Sequence, residues 1–82
     1  MLPDNIVIGT PLVDLKLLGI TDDEITITEQ ETFLPKILVK HGFFKSTSQI
    51  RKNRHDLWRD LNRPNLEELK IGHKRVWLVV GL

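Results

Sequence analysis

The 82-residue chain has no cysteine, one methionine and few aromatic residues (6%). Without thiols, neither a disulfide framework nor a cysteine-based zinc site can staple so small a fold, although this absence does not identify a compartment. Long apolar runs are also missing. The longest, Val76 to Val80, is far below the roughly 20 residues of a membrane-spanning helix, so no membrane partner is expected. The amino terminus opens on Asp4 instead of a basic stretch leading into an apolar block, so no signal peptide is expected, and a cytoplasmic setting follows by elimination. Net charge is nearly absent as well, at +1.

That total hides a split. Residues 1–35 carry seven acids (Asp4, Asp14, Asp22, Asp23, Glu24, Glu29, Glu31) and one base, Lys16, which leaves −6. Residues 36–82 carry eleven bases and four acids (Asp56, Asp60, Glu67, Glu68), which leaves +7. With 40% apolar and 28% charged residues the composition is that of an ordinary globular protein. The length allows one domain, residues 1–82, with a core near the lower limit for folding unaided.

The pattern along the chain predicts three regions. Residues 1–31 form an acidic strand region. Asn5 to Thr10 is β-branched, and Val13, Leu15 and Leu17 alternate with Asp14 and Lys16, which favours a half-buried strand up to Gly19. A helix capped by Thr10 with Pro11 in its first turn competes with that reading. Glu24 to Thr28 reads as a strand with two buried isoleucines.

Residues 32–62 form a helix–turn–helix. Pro35 sets the first helix to begin near Thr32, because proline is tolerated only in a first turn. Phe33, Leu34, Ile37, Leu38 and His41 make its apolar face, and Gly42 ends it. Ser46 to Gln49 is a capping box opening a second helix. That helix directs Ile50, Leu57, Trp58 and Leu61 inward and stops before Asn62-Arg63-Pro64, with a kink allowed near Asn53. Residues 66–82 form a hairpin about Gly72-His73-Lys74. The expected fold is a small α+β domain: a helix–turn–helix packed on a short antiparallel sheet that ends in the hairpin.

Catalytic patterns are weak. His41, His55 and His73 are not spaced to share a metal, and no cysteine can join them, so neither a metal site nor a cofactor is expected. His41 at a helix end suits the helix dipole, and His73 in a turn suits solvent. Ser46 and Ser48 sit where a cap needs hydroxyls, outside any nucleophile-elbow pattern. The glycines are too scattered to cradle a phosphate. No catalytic residue is assigned and an enzyme is not expected.

The basic helix is the informative feature. Lys36 to Arg63 holds eight bases against Asp56 and Asp60. On one continuous helix Arg51, Arg54 and His55 share a side opposite Ile50, Leu57 and Leu61, with Lys52 beside them. Lys45 and Ser46 lie at its amino-terminal end, where backbone amides and the dipole attract phosphate. Several cations on one surface suit a nucleic-acid backbone. The competing reading is a solvated face, or one covered by the acidic segment of the same or another molecule.

The stretch Leu38-Val39-Lys40-His41-Gly42-Phe43-Phe44-Lys45-Ser46-Thr47-Ser48-Gln49-Ile50-Arg51 resembles the helix–turn–helix of the S-four-like RNA-binding domain. That domain occurs in ribosomal protein S-four, pseudouridine synthases and bacterial tyrosyl-tRNA synthetases. Gly42, Ser46 and Arg51 match its spacing, and Leu69 to Val80 is similar to the closing hairpin of the synthetase version. Thr47 stands where the family often has arginine, Ile50 stands where it has a small alanine, and residues 56–66 replace one of its strands. The resemblance implies RNA binding without catalysis through Lys40, Lys45, Ser46, Thr47, Arg51 and Arg54; charge density adds Lys52. Two other readings remain: a self-assembly or protein-interaction module in which acidic and basic halves pair, and a winged helix–turn–helix DNA binder using the hairpin as its wing. Trp58 and Trp77 are expected in the core. Of Phe43 and Phe44 one should anchor the helix junction, with Phe44 the better candidate for solvent.

Overall fold

A computed structural model describes residues 2–11 and 14–81. Its framework is a four-stranded sheet built from β1 (Asn5–Ile8), β2 (Thr26–Glu29), β3 (Asn65–Ile71) and β4 (Lys74–Val80), in the order β2-β1-β4-β3. β1 runs parallel to both β2 and β4, and β3 pairs antiparallel with β4. The sheet is therefore mixed, which corrects the expected antiparallel one. The parallel pairs join segments far apart in sequence, and a strand's side-chain pattern does not reveal which neighbour it will take. The α+β class holds.

One sheet face carries helix α1 (Leu34–Lys40) and helix α2 (Thr47–Asn53). Alternation along the strands sends Ile6, Ile8, Leu69, Ile71, Val76, Leu78 and Val80 to that side, where they pack with Leu34, Ile37, Leu38, Ile50, Leu57 and Leu61. The other face has a smaller cover. Ile20, with Leu15 and Leu18 against it, packs over Val7 and Val79. β1 is buried along its whole length because it has neighbours on both edges and cover on both faces.

Residues 15–18 correct the strand expected up to Gly19, whose start at Val13 lies outside the described residues. They form a 3-10 turn, Leu15–Leu18. The Asp14 carboxylate accepts from the Lys16 amide (2.9 Å), and Gly19 closes the turn at φ 84°, the left-handed region that glycine adopts without strain. A side-chain hydrogen bond has overridden a weak alternation. β2 also starts later than expected. Ile25 lies before it and is 36% exposed, Ile27 is half-buried, and the buried residue of the strand is Glu29.

α1 starts at Leu34 with Pro35 in its first turn. The Thr32 hydroxyl does not cap it but donates to Asp60 (3.2 Å), while the Glu31 carboxylate accepts from the Thr32 and Phe33 amides at 3.1 and 3.0 Å. Gly42, at φ 86°, ends the helix as expected, and the Phe43 amide reaches back to the Leu38 carbonyl (2.9 Å).

α2 opens on the Ser46 cap, whose hydroxyl accepts from the Gln49 amide (3.3 Å). The Gln49 side chain reaches back one residue beyond the cap and accepts from the Lys45 amide (3.1 Å). The helix does not continue to Leu61. It ends at Asn53, Arg54 turns out at φ −138° and ψ 61°, and a short 3-10 turn, His55–Leu57, follows. A straight helix would carry Leu61 beyond the core. The break brings the Leu61 amide to the Thr32 carbonyl (2.7 Å) and buries Leu57 and Leu61. No helix among the described residues is long and apolar enough to cross a membrane.

Candidate nucleic-acid interface

The residues singled out by charge divide into three groups in space. Lys45, Ser46 and Thr47 lie at the start of α2, and Arg51 and Lys52 follow on its exposed side. The hydroxyl of Ser46 is spent on the cap. With only seven residues α2 has a small dipole, so the positive potential there comes from side-chain charge more than from backbone amides. Lys45, Arg51 and Lys52 are exposed, and the ion pairs found among the described residues involve none of the three.

Arg54 is held elsewhere. Its Nε and Nη2 donate to the Asp56 carboxylate, each at 3.1 Å, and Nη1 donates to the Lys70 carbonyl at 2.9 Å. The hydrogen bonds from Asp56 push the guanidinium further toward its charged form, and Arg54 in turn holds the Asp56 carboxyl below its ordinary value. Because Arg54 lies outside the helix, the expected stripe of Arg51, Arg54 and His55 does not form. Arg54 braces the end of α2 against β3.

Lys40 forms the third group. Its Nζ lies 2.9 Å from Glu29 Oε1, and His41 Nε2 lies 2.6 Å from the same oxygen. Hydrogen bonds from Lys40 first and His41 second hold the Glu29 carboxyl below its ordinary range. His41 thus serves a buried carboxylate at the end of α1 as well as occupying the cap position. His55 and His73 are exposed, and no cluster of three metal-ligating side chains occurs among the described residues.

Among the described residues, ion pairs join the acidic segment to the basic half at two places. One is Glu29 on Lys40 and His41; the other is Asp4 on Lys74, an ion pair that lowers the Asp4 carboxyl. Neither lies on Arg51 or Lys52. Compared with family models, curated proteins and solved structures, the chain matches none.

Aromatic placement departs from expectation in part. Trp58 packs against the main core as expected, half-buried, and meets Phe33 edge-on, with ring centroids 5.1 Å apart at 86°. The Arg51 guanidinium carbon sits 5.9 Å from the centre of the Trp58 ring, within cation–π range. The indole therefore lies between the core and the basic side chain of Arg51. Arg51 and Trp58 are seven residues apart, about two helical turns, but the helix ends at Asn53, so the contact comes from the turn that follows and not from helical spacing. Phe43 and Phe44 are both half-buried against the main core, so neither is the solvent-facing aromatic expected. Trp77, expected inside, is 40% exposed.

Proposed function

We propose that this chain is a non-catalytic nucleic-acid-binding domain, RNA favoured over DNA, whose contact surface is the exposed side of α2 and the residues that precede it. The observation that carries the reading is the set of exposed cations Lys45, Arg51 and Lys52, which no acid of residues 1–35 covers among the described residues. Arg51 stacked near Trp58 is held in one region while its outward N–H groups stay available to a phosphate. Such contacts grip the backbone and do not read sequence. The preference for RNA comes from the S-four-like resemblance through Gly42, Ser46 and Arg51, with Thr47 on the same surface. Lys40 would join at the edge while sharing Glu29, and Arg54 would support the helix through its brace on Lys70.

A fluorescence-anisotropy titration against labelled RNA tests this. Three phosphate contacts give a slope of log K against log salt of roughly −2 to −3, so affinity should fall roughly 15- to 60-fold between 50 and 200 mM salt. Arg51→Glu combined with Lys52→Glu should remove binding while leaving the thermal midpoint within a few degrees, because both side chains are exposed. Absence of salt-sensitive binding at micromolar protein refutes the proposal. Preference for duplex DNA over RNA would shift it to a winged helix–turn–helix with the β3–β4 pair as wing.

A further inference from the structure

The outer face of β3 and β4 holds a second feature that the helical surface leaves unused. Val76, Leu78 and Val80 point toward α1 and α2, so alternation directs Arg75, Trp77 and Val79 to the opposite face. There the strand register places Glu68 opposite Trp77, Lys70 opposite Arg75 and Leu66 opposite Val79. The 3-10 turn Leu15–Leu18 and Ile20 cover this side of the sheet over Val7 and Val79. Trp77 stays 40% exposed and Leu66 47% exposed. β3 is the edge of the sheet, so a chain can approach this face without displacing another strand.

A large exposed indole on an open sheet, with two cations in the next row, matches the needs of an unpaired nucleotide: a flat apolar surface for the base and positive charge for its phosphates. Glu68 adds an acceptor beside the ring for a base N–H, and Arg75 Nε lies 3.8 Å from that carboxylate, which offsets its charge against a phosphate. A partner protein would also cover apolar surface, but the Lys70–Arg75 row beside the ring selects an anionic ligand. We propose that Trp77 is a stacking platform for one base of a single-stranded nucleic acid, with Lys70 and Arg75 holding the adjacent phosphates. The ligand class rests on the proposed function, but the residues are different and lie on the opposite face of the sheet. A rigid duplex docked on α2 leaves Trp77 untouched; a flexible strand that crosses the β3 edge reaches it.

In a Trp58→Phe variant, which keeps an aromatic ring beside Arg51, Trp77 is the sole tryptophan, and its emission reports this face alone. Titration with a twelve-nucleotide single-stranded RNA should quench that emission, whereas the matching duplex should bind without quenching it. In the otherwise unaltered protein, Trp77→Leu should lower single-strand affinity roughly 5- to 150-fold, with duplex affinity unchanged and part of the loss restored by Trp77→Phe. Single-strand binding without quenching, or unaltered affinity in Trp77→Leu, overturns the proposal. So does self-association of the protein that Trp77→Leu abolishes, because a second copy would then be the occupant. The two surfaces fail separately. Loss of binding with Arg51→Glu and Lys52→Glu but not with Trp77→Leu leaves only the helical surface, the converse leaves only the stacking platform, and no binding of either nucleic acid removes both.

Discussion

Glu29 shows how one residue can reverse what its sequence setting implies. It ends a short strand in an acidic segment, where a solvated carboxylate is the ordinary expectation, yet it is buried and shared between Lys40 and His41. Removing a carboxylate from water is costly unless donors replace that water, and two basic side chains do so here. The folded carboxyl titrates below its ordinary value of 4.5, the Lys40 hydrogen bond contributing most. A depressed carboxyl adds stability that is complete above the unfolded value and disappears as pH falls through the folded one. Stability measured by urea unfolding should therefore be level with respect to this group above about pH 4.5 and decline below it. Glu29→Gln should be less stable near neutral pH and show a shallower acid decline. Asp4 and Asp56 are lowered for similar reasons, by Lys74 and Arg54, so part of the decline persists in that variant. An acid limb as steep in Glu29→Gln as in the unaltered protein would show that Glu29 does not contribute. Arg54 carries the complementary lesson: a cation that charge density places on a binding surface is committed to Asp56 and the Lys70 carbonyl.

Among the elements, local chemistry was legible and extent was not. The Ser46 cap, the Gly42 stop and the placement of Pro35 in a first turn follow from rules that operate within a few residues, and each is seen. The end of α2 could not be read that way. Ile50, Leu57 and Leu61 keep helical spacing, so periodicity favours a continuous helix, whereas the core accepts those side chains only after the chain turns back at Arg54. The segment after β1 fails in the other direction, since its two-residue alternation is satisfied by a capped 3-10 turn. The junction after β4 offers a test. The Gly81 amide donates to the Ile8 carbonyl (2.8 Å), and a Cβ at Gly81 would collide with the backbone carbonyl of Thr10. Gly81→Ala should therefore cost about 1–3 kcal/mol, since backbone cannot yield as a flexible side chain would. For a domain of this size that corresponds to a thermal midpoint lower by roughly 4–24 °C, measurable by circular dichroism. An unchanged midpoint would show that the Thr10 region relaxes freely.

At the scale of the whole molecule the question is what the two opposed charges do. The acidic segment supplies β1 and β2 and pairs with the basic half through Asp4–Lys74 and Glu29–Lys40, both within one chain. Those contacts neutralise the ends of the sheet and of α1 while α2 keeps its charge outward. With its own contacts made internally, the protein is expected to sediment as a monomer in the absence of nucleic acid, at low and at moderate salt. A dimer at low salt that dissociates as salt rises would instead favour assembly through pairing of acidic and basic halves.

The sequence alone determined the α+β class, the Ser46 cap and the Gly42 stop, the divided charge and the candidate basic residues, because these depend on composition and on neighbours a few positions apart. Tertiary structure decided the mixed strand order, the break after Asn53, the capture of Lys40 and Arg54, and the exposure of Trp77. The reason is physical: each depends on which distant segment arrives beside a residue. An apolar strand reads the same whether its two faces are covered equally or, as with Trp77 on β4, one is left partly open.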